Sequence, residues 1–438
     1  MAWGSGATSG VSDWVGKLKR NDPSFTSLHV FQFRSFGPQE QQEICAALQG
    51  NTTLTELYCS GHDMSTETAQ IFGKMLQSNS SLTSLCVGNA SFGDQGVAAL
   101  IAGLGPQSAI AKLDLENKGI GDSGLMDVCA AASHAPSITH LILSRNNITL
   151  AGMEGLGRQL TNLSQLDLRD CQVGPQGCAV LADLLAAKSS NLKELWLSGN
   201  PLGAEGAAAL ATGLSCNQRL QILHMAMTQI GNPGIASLAS VLADATGLNH
   251  LDVSECGIGP DGAKALGAEL PASKLQTLIL AGNALADHGA DFLGRALAQC
   301  RGLAVLDVSS NGITQVGLLA LCARASHLQK LRLFDSRLGD KGASALCMLL
   351  TSGRLPALRE LDLSANAIGA VALQEVLAGV QAGHGPQLMV LLLGANPAVE
   401  DDSFESRVQA LRAARPGLDV AWKASDPGSG LPAGSDAV

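Results

Sequence analysis

One leucine-rich pattern, L-x-x-L-x-L-x-x-N with x for any residue, recurs along almost the whole chain of 438 residues. Fourteen copies can be counted, and they begin at Phe25, Leu54, Leu82, Ile110, Ile138, Leu163, Leu192, Leu220, Leu248, Leu275, Leu303, Leu328, Leu358 and Leu388. Successive starts lie 25 to 30 residues apart, and 28 is the commonest spacing. A unit this short cannot bury its own apolar face, so the near-constant period predicts a solenoid whose stacked repeats share one core.

Each repeat divides into a strand, a turn and a helix. The L-x-x-L-x-L segment alternates apolar and polar residues, as a short strand does, and a segment of helical period follows, for example at residues 204–214. The ninth residue stands at the turn, where its side chain can bond to backbone groups of neighbouring repeats. We therefore expect a buried ladder formed by Asn146, Asn200, Asn283, Asn311, Asn366 and Asn396, with Cys171 and Cys256 in the same position.

This repeat resembles the ribonuclease-inhibitor-like class of leucine-rich repeats. The resemblance rests on the period of 28 residues, on the alternation of Asn and Cys at the ninth position, and on the (I/L/V)-G-x-x-G start of the helices. It covers roughly residues 25–422. It implies an α/β leucine-rich-repeat solenoid, a right-handed horseshoe of about 14 repeats with a parallel sheet on the concave side and helices on the convex side. The function that it implies is protein binding.

The chain is predicted to have an N-terminal segment with a helical cap, a repeat domain with a C-terminal cap, and a disordered tail, at residues 1–24, 25–422 and 423–438. The cap helix is expected over 11–20, and the segment 51–57 makes the start similar to tropomodulin-type repeat domains. A last helix over 403–415 and a partial strand over 418–422 are expected at the other end. The tail is rich in Gly, Ser, Pro and Asp, which is typical of disorder.

Charge and composition narrow the choice of partner. Lys and Arg total 28 against 38 for Asp and Glu, a net charge of −10, so the chain favours a protein partner with a basic surface over a nucleic acid. No run of 18 apolar residues is present, so a membrane is not expected as a partner.

The cysteines indicate the cellular compartment. The 11 cysteines are odd in number and scattered, and no secretory signal precedes them, which predicts reduced thiols and a cytoplasmic location. The cytoskeleton and a ciliary axoneme are narrower alternatives.

Motifs for catalysis, cofactors and metals are weak. G-x-G-x-x-G begins at Gly119 and at Gly257, but both fall where sister repeats carry L-G-x-x-G, so the repeat explains them better than a dinucleotide site does. His224 and His250 are expected on neighbouring strands close to Asp252. A metal site or an acid–base pair is conceivable there, but partner contacts are the commoner role of such residues. We therefore predict no cofactor, no metal, no small-molecule substrate and no enzymatic activity.

The informative positions are those that point away from the leucines into the concave face. At the third, fifth and seventh places the strands carry many carboxylates and also Trp196, a large aromatic residue of the kind that is typical of an interface anchor. Phe334 is expected beside Arg332 and Lys330 in a small basic and aromatic patch. The predicted protein-binding residues are Tyr58, Asp114, Asp167, Trp196, His224, His250, Asp252, Ile279, Asp307, Arg332, Phe334 and Asp362.

The functional hypothesis is a non-catalytic scaffold that binds a protein through this acidic, Trp-containing face. One alternative is a cytoskeletal or axonemal component or an actin-end binder, which the tropomodulin-like start favours. Another is a GTPase-activating protein of the Ran type, although no catalytic Arg can be assigned to a motif of that family. A fragment of an innate-immunity sensor ranks last, because no nucleotide-binding domain is present in this chain.

Overall fold

The computed structural model describes residues 10–159, 162–400 and 404–422. The predicted tail at 423–438 lies outside these residues, as does the first part of the N-terminal segment. The chain forms two compact units, Met1–Pro201 and Leu202–Val438. In both units short strands alternate with helices, as the repeat predicts.

The first unit contains α1 (Val11–Lys19), β1 (Ser27–His29), α2 (Pro38–Leu48), β2 (Glu56–Ser60), α3 (Thr66–Leu76), β3 (Ser84–Gly88), α4 (Gly93–Ile101), β4 (Lys112–Asp114), α5 (Asp122–His134), β5 (His140–Ile142), α6 (Leu150–Gln159), β6 (Gln165–Asp167), α7 (Pro175–Ala186) and β7 (Glu194–Trp196). Consecutive strands from β1 to β7 pair in parallel. The helix predicted over 11–20 is α1, and its Trp14 and Leu18 are buried.

The second unit contains α8 (Gly203–Leu214), β8 (Ile222–His224), α9 (Gly231–Ala239), β9 (His250–Asp252), α10 (Pro260–Glu269), β10 (Thr277–Ile279), α11 (Ala286–Leu297), β11 (Val305–Asp307), α12 (Gln315–Cys322), β12 (Lys330–Arg332), α13 (Gly339–Thr351), β13 (Glu360–Asp362), α14 (Ala370–Gln381), β14 (Val390–Leu392), α15 (Phe404–Ala414) and β15 (Asp419–Ala421). Its strands also pair consecutively and in parallel. Short 3₁₀ helices lie at Leu270–Ala272 and Pro397–Glu400.

The strand register stacks the leucines of successive repeats. Each of the first fourteen strands begins two residues after the start of its sequence copy, and the fifteenth is the predicted final strand. In β2, for example, Leu57 lies opposite Leu28 on one side and Leu85 on the other, and all three are buried. The inner faces of the helices complete the core with Leu and Ala. This confirms the predicted α/β leucine-rich-repeat solenoid.

The predicted ladder at the ninth position is confirmed. The side-chain amide of Asn146 donates to Leu115 O at 2.7 Å and to Leu143 O at 2.8 Å. Its carbonyl accepts from the backbone N–H groups of Lys118 and Ile120, both at 3.0 Å. Asn146 therefore satisfies four backbone groups that the turn leaves without strand partners. Bonds of the same kind are made by Asn200, Asn283, Asn366 and Asn396.

Cysteine occupies the ninth position in two repeats, where its thiol makes fewer hydrogen bonds than the Asn side chain does. The thiol of Cys171 donates to Leu143 O at 3.1 Å, and that of Cys256 donates to Met225 O at 3.0 Å. Burial raises the pKa of Cys171 to about 12 and also raises that of Cys256. Both thiols are thus structural groups, because a reactive cysteine needs exposure and a lowered pKa.

The fourth repeat carries a lysine, Lys118, at its ninth position in place of Asn or Cys. Lys118 is only 1% exposed, and its ammonium donates to the hydroxyl of Ser60, two repeats earlier, at 2.7 Å. The equivalent residue of the intervening repeat is Ala90. The small side chain at that place leaves room for the lysine to reach across one full repeat.

No helix in the described part of the chain combines the length and the apolar character that crossing a membrane requires.

Candidate protein-binding surface

The third, fifth and seventh residues of each repeat lie on the strand surface opposite the buried leucines. We call this surface, in each of the two units, the open strand face. In β9, for example, His250 and Asp252 are half-buried and flank the fully buried Leu251. The alternation on which the site prediction depends is therefore present, and three clusters of charged and aromatic side chains lie on this face.

The first cluster surrounds Trp196 in the first unit. The indole is half-buried, not fully exposed as the register suggests, and the guanidinium carbon of Arg169 lies 4.8 Å from its ring centre. Arg169 also donates to both carboxylate oxygens of Asp167, from Nη2 to Oδ2 at 2.7 Å and from Nε to Oδ1 at 3.1 Å. The aromatic ring, the cation and the carboxylate therefore hold one another in place.

Further carboxylates continue this cluster across neighbouring strands. Arg145 Nη1 lies 3.4 Å from Glu116 Oε1, and Asp114 accepts from the backbone N–H of Glu116 at 3.0 Å. Burial, followed by the charge of Asp114, raises the pKa of Glu116. This part of the face carries more negative charge than its two arginines neutralise.

The second cluster joins His224, His250 and Asp252 in the second unit. The two imidazole rings lie 4.8 Å apart between centres, which confirms the predicted proximity, and both are half-buried, not exposed. His224 Nδ1 lies 3.3 Å from Asp252 Oδ2, and Ser254 also donates to Asp252, at 2.6 Å. Burial acts to raise the pKa of Asp252, but these hydrogen bonds outweigh it and the net pKa is lowered.

The surroundings of His250 favour its neutral form. Burial, together with the charge of the neighbouring His224, lowers the pKa of His250 to about 4. Within the described residues its Nε2 has no hydrogen-bond partner. Nowhere in the described part of the chain do three His, Cys, Asp or Glu side chains form a group that could hold a metal ion.

Acidification is expected to destabilise the fold through His250. The folded pKa of about 4 lies below the ordinary 6.5, so the stability that neutral His250 contributes is complete above pH 6.5 and is lost as pH falls towards 4. The loss amounts to about 1–2 kcal/mol after allowance for solvent screening. Urea titrations at several pH values measure it.

The variant His250→Asn should flatten the pH dependence of the unfolding free energy between pH 6.5 and 4. His288→Asn, at an exposed position in α11, is the matched control and should keep the wild-type slope. Equal slopes in the wild type and in His250→Asn would contradict this assignment.

The third cluster surrounds Arg332 in the second unit. Lys330 and Arg332 both bind Glu360, at 2.8 and 2.9 Å, and Arg332 Nη1 lies 4.0 Å from Asp307 Oδ2. Burial acts to raise the pKa of Glu360, but the bonds from the two cations lower it overall. The patch predicted beside Phe334 is therefore not basic, because three carboxylates, Glu360, Asp307 and Asp362, lie beside its two cations; Phe334 itself is exposed.

For two carboxylates of this cluster, hydrogen bonds and nearby cations do not fully offset the cost of burying the charge. Asp307 and Asp362 accept hydrogen bonds from the backbone of Ser309 and Ser364, at 2.9 and 2.8 Å. Burial nevertheless raises the pKa of both carboxyl groups. Counting Lys330, Arg332, Asp307, Glu360 and Asp362, the cluster holds two cations against three carboxylates and keeps a net negative charge.

The exposure predicted for three aspartates is wrong. Asp167, Asp307 and Asp362 are only 2%, 8% and 7% exposed. Longer side chains cover these short ones: Arg169, two residues further along the same repeat, covers Asp167, and Arg332 on the neighbouring strand lies 4.0 Å from Asp307. Of the remaining predicted residues, Asp114 and Ile279 are half-buried and Tyr58 is exposed.

Aromatic residues of the first repeat were not among the predicted site residues. Phe31 and Phe33 are exposed and stack at 5.7 Å between ring centres, and His29 stacks on Tyr58 at 5.6 Å. The signal was present in the composition: only 3% of the chain is aromatic, yet four of its nine phenylalanines lie between residues 25 and 36.

Comparison with known proteins identifies the repeat in seven segments of the chain. A family model described as Leucine Rich repeat matches residues 134–157, 159–182, 188–211, 216–239, 246–267, 299–322 and 324–347. These segments follow the period of strands and helices described above.

Three relatives share the repeats. A ribonuclease inhibitor from Sus scrofa is 32% identical over 296 residues, which is 65% of this chain and 63% of that protein. A ribonuclease inhibitor from Mus musculus is 30% identical, over 64% of this chain and 62% of that protein. The human NACHT, LRR and PYD domains-containing protein 12 is 32% identical, over 56% of this chain and 24% of that protein.

The matched part of this chain spans less than two thirds of the length of either ribonuclease inhibitor. The resemblance is therefore one of repeats and fold. Period, ladder, parallel strands and the matched segments agree that the chain is built from leucine-rich repeats, and these repeats are similar to those of the two ribonuclease inhibitors.

Proposed function

We propose that the chain is a non-catalytic binding protein whose open strand face takes a protein partner with a basic surface. The observation that carries this proposal is the charge of the Arg332 cluster. Burial raises the pKa of Asp307 and Asp362 even though Arg332 lies beside them. A further cation beside these two carboxylates would stabilise their charged forms. A Lys or Arg of a partner would supply that cation.

The Trp196 cluster would act as an apolar anchor on the open strand face of the first unit. Trp196 is the largest side chain on the open strand face, and its position is held by Arg169, which Asp167 orients. An aromatic ring whose position is already set loses little entropy when a partner covers it. Glu116, with its raised pKa, adds negative charge nearby.

The cysteines fit a reducing compartment, and we infer that the chain works in the cytoplasm. All eleven lie in the described part of the chain and none forms a disulfide. Burial raises the pKa of Cys59, Cys129 and Cys322 well above that of a reactive thiol. These thiols fill core positions, which favours a structural over a catalytic role.

Ribonuclease inhibition is a second candidate function. Two relatives at 30–32% identity carry that name, and a cationic ribonuclease would suit an acidic face. The cytoskeletal and the Ran-type GTPase-activating alternatives stay predictions from the sequence.

Surface plasmon resonance with two cationic probes tests the proposed function. The chain is passed over an immobilised cationic ribonuclease and over lysozyme, a cationic protein without ribonuclease activity. Capture of either probe at low salt, weakened at least about tenfold by Trp196→Ala, supports the open strand face as a basic-protein site. Capture of the ribonuclease alone, with loss of its activity, supports ribonuclease inhibition.

A matched variant separates the face from general surface effects. Met126→Ala removes an exposed apolar side chain from α5, away from the strands, and should leave capture unchanged. Failure to capture either probe, or equal loss in both variants, would overturn the proposal.

A further inference from the structure

Phe334 protrudes from the open strand face of the second unit. It occupies the seventh place of its repeat and is 39% exposed. The strand register continues past the strand ends, so Ser309 and Ser364 flank it, and its backbone N–H donates to Ser309 Oγ at 3.1 Å. Both serines are small and buried, and they leave much of the phenyl ring uncovered. Among the described residues, neither a ring nor a cation stacks on it.

Two carboxylates lean towards this ring from the neighbouring strands. Asp307 and Asp362 each accept a hydrogen bond from the backbone N–H two residues further along the repeat, at 2.9 and 2.8 Å. The donors are Ser309 and Ser364, the two residues that flank Phe334. Each aspartate keeps a small exposed part, 8% and 7% of its surface. The two negative charges therefore lie near the base of the phenyl ring and can still be reached by a partner.

The cations of the intervening strand are turned the other way. Arg332 lies between the two aspartates in the register, but its Nε and Nη2 both donate to Glu360 Oε1, at 3.1 and 2.9 Å. Lys330 binds the same carboxylate at 2.8 Å. Glu360 occupies the third place of its repeat, at the opposite end of the strand from the seventh. The chain's own guanidinium thus compensates the aspartates only in part and does not cover Phe334.

The first unit shows the same kinds of group in a complete arrangement. There the guanidinium carbon of Arg169 lies 4.8 Å from the ring centre of Trp196, and the same guanidinium donates to both oxygens of Asp167. One guanidinium thereby contacts an aromatic ring and a carboxylate of the open strand face together. The second unit has the ring and the carboxylates, and a guanidinium of a partner would complete the arrangement.

We propose that Phe334, Asp307 and Asp362 form a subsite for an arginine side chain of the basic partner, whose guanidinium stacks on the phenyl ring and donates to one of the carboxylates. A guanidinium is planar, is less strongly hydrated than an ammonium and can donate two parallel hydrogen bonds, so it suits this site better than lysine does. The cluster holds two cations against three carboxylates, and one more cation brings its charge to zero. This inference rests on the proposed function and names the side chain that the face prefers.

Two peptides of equal length and charge test the subsite, one with arginine at every basic position and the other with lysine. Their affinities for the full chain are measured by isothermal titration calorimetry at low salt. Phe334→Leu keeps an apolar side chain and removes the aromatic ring. It should weaken binding of the arginine peptide about three- to fivefold and change binding of the lysine peptide by less than about twofold. Phe334→Trp should bind the arginine peptide at least as tightly as the wild type.

Phe33→Leu is the matched control. Phe33 is also exposed, but it occupies the ninth place of the first repeat, outside the open strand face, so both affinities should equal those of the wild type. An equal loss for both peptides in Phe334→Leu, or no loss for either, would overturn the arginine subsite and leave the proposed function standing. A wild type that binds neither peptide would overturn the proposed function and the subsite together.

Discussion

Replacing Asn146 by Ala is expected to lower the free energy of unfolding by roughly 3 kcal/mol or more, because it removes four buried hydrogen bonds at once. Its amide and carbonyl satisfy backbone groups of Leu115, Leu143, Lys118 and Ile120. Asn146 is buried, so water replaces these bonds poorly. Urea denaturation followed by circular dichroism measures the loss.

The neighbouring Asn147 provides the matched control. It is exposed, and its side chain only accepts from the Gln172 amide at 3.3 Å, so Asn147→Ala should change stability by less than about 0.5 kcal/mol. Asn146→Cys should fall between the two, since Cys171 and Cys256 occupy the same position with fewer bonds. Hydrogen exchange of the Lys118 and Ile120 amides should accelerate in Asn146→Ala. Equal effects of the two alanine variants would contradict the ladder.

The fold and its ladder could be predicted because the same sequence pattern occurs many times along the chain. Fourteen copies of one pattern average out the exceptions, so strand starts and the buried asparagines follow from counting. Lys118 shows the limit of that reasoning. A lysine in a turn is ordinarily solvated, and only the contact with Ser60, two repeats away, accounts for its burial.

The sequence predicted on which surface the site residues lie, but not how far each is exposed or which charges its neighbours offset. Alternation along a strand says which side chains leave the core, and it placed Trp196 and Asp252 on the correct surface. It does not say which side chains then cover them, because that depends on contacts along a repeat and between strands. Asp167 lies under Arg169, two residues further along the same repeat. The positive charge of Lys330 and Arg332 is offset by carboxylates on the two neighbouring strands, Glu360, Asp307 and Asp362.

Replacing both Asp307 and Asp362 by Asn is expected to weaken capture of a cationic ribonuclease at least about tenfold. The amides are nearly the same size as the carboxylates and can still accept from Ser309 and Ser364, so the local structure should persist. Only the two negative charges are removed. The binding constant is measured by surface plasmon resonance at fixed pH and salt.

Stability should not fall in the same double variant. Burial raises the pKa of both carboxyl groups, which means that their charged forms are less favourable in the folded chain than in the unfolded one. A neutral amide removes that penalty, so the unfolding free energy should stay equal or rise. Asp261→Asn, at an exposed position in α10, is the control and should change neither quantity. Weaker binding that accompanies unfolding would contradict this account.

The salt dependence of capture tests the central claim most directly, because the claim is that carboxylates of the open strand face attract a basic protein. The affinity of the wild type for the cationic ribonuclease, measured from about 50 to 500 mM NaCl, should fall steeply as the charges are screened. The Asp307→Asn, Asp362→Asn variant should bind more weakly at low salt and show a shallower slope. An affinity that does not change with salt, or identical slopes for the two proteins, would contradict it.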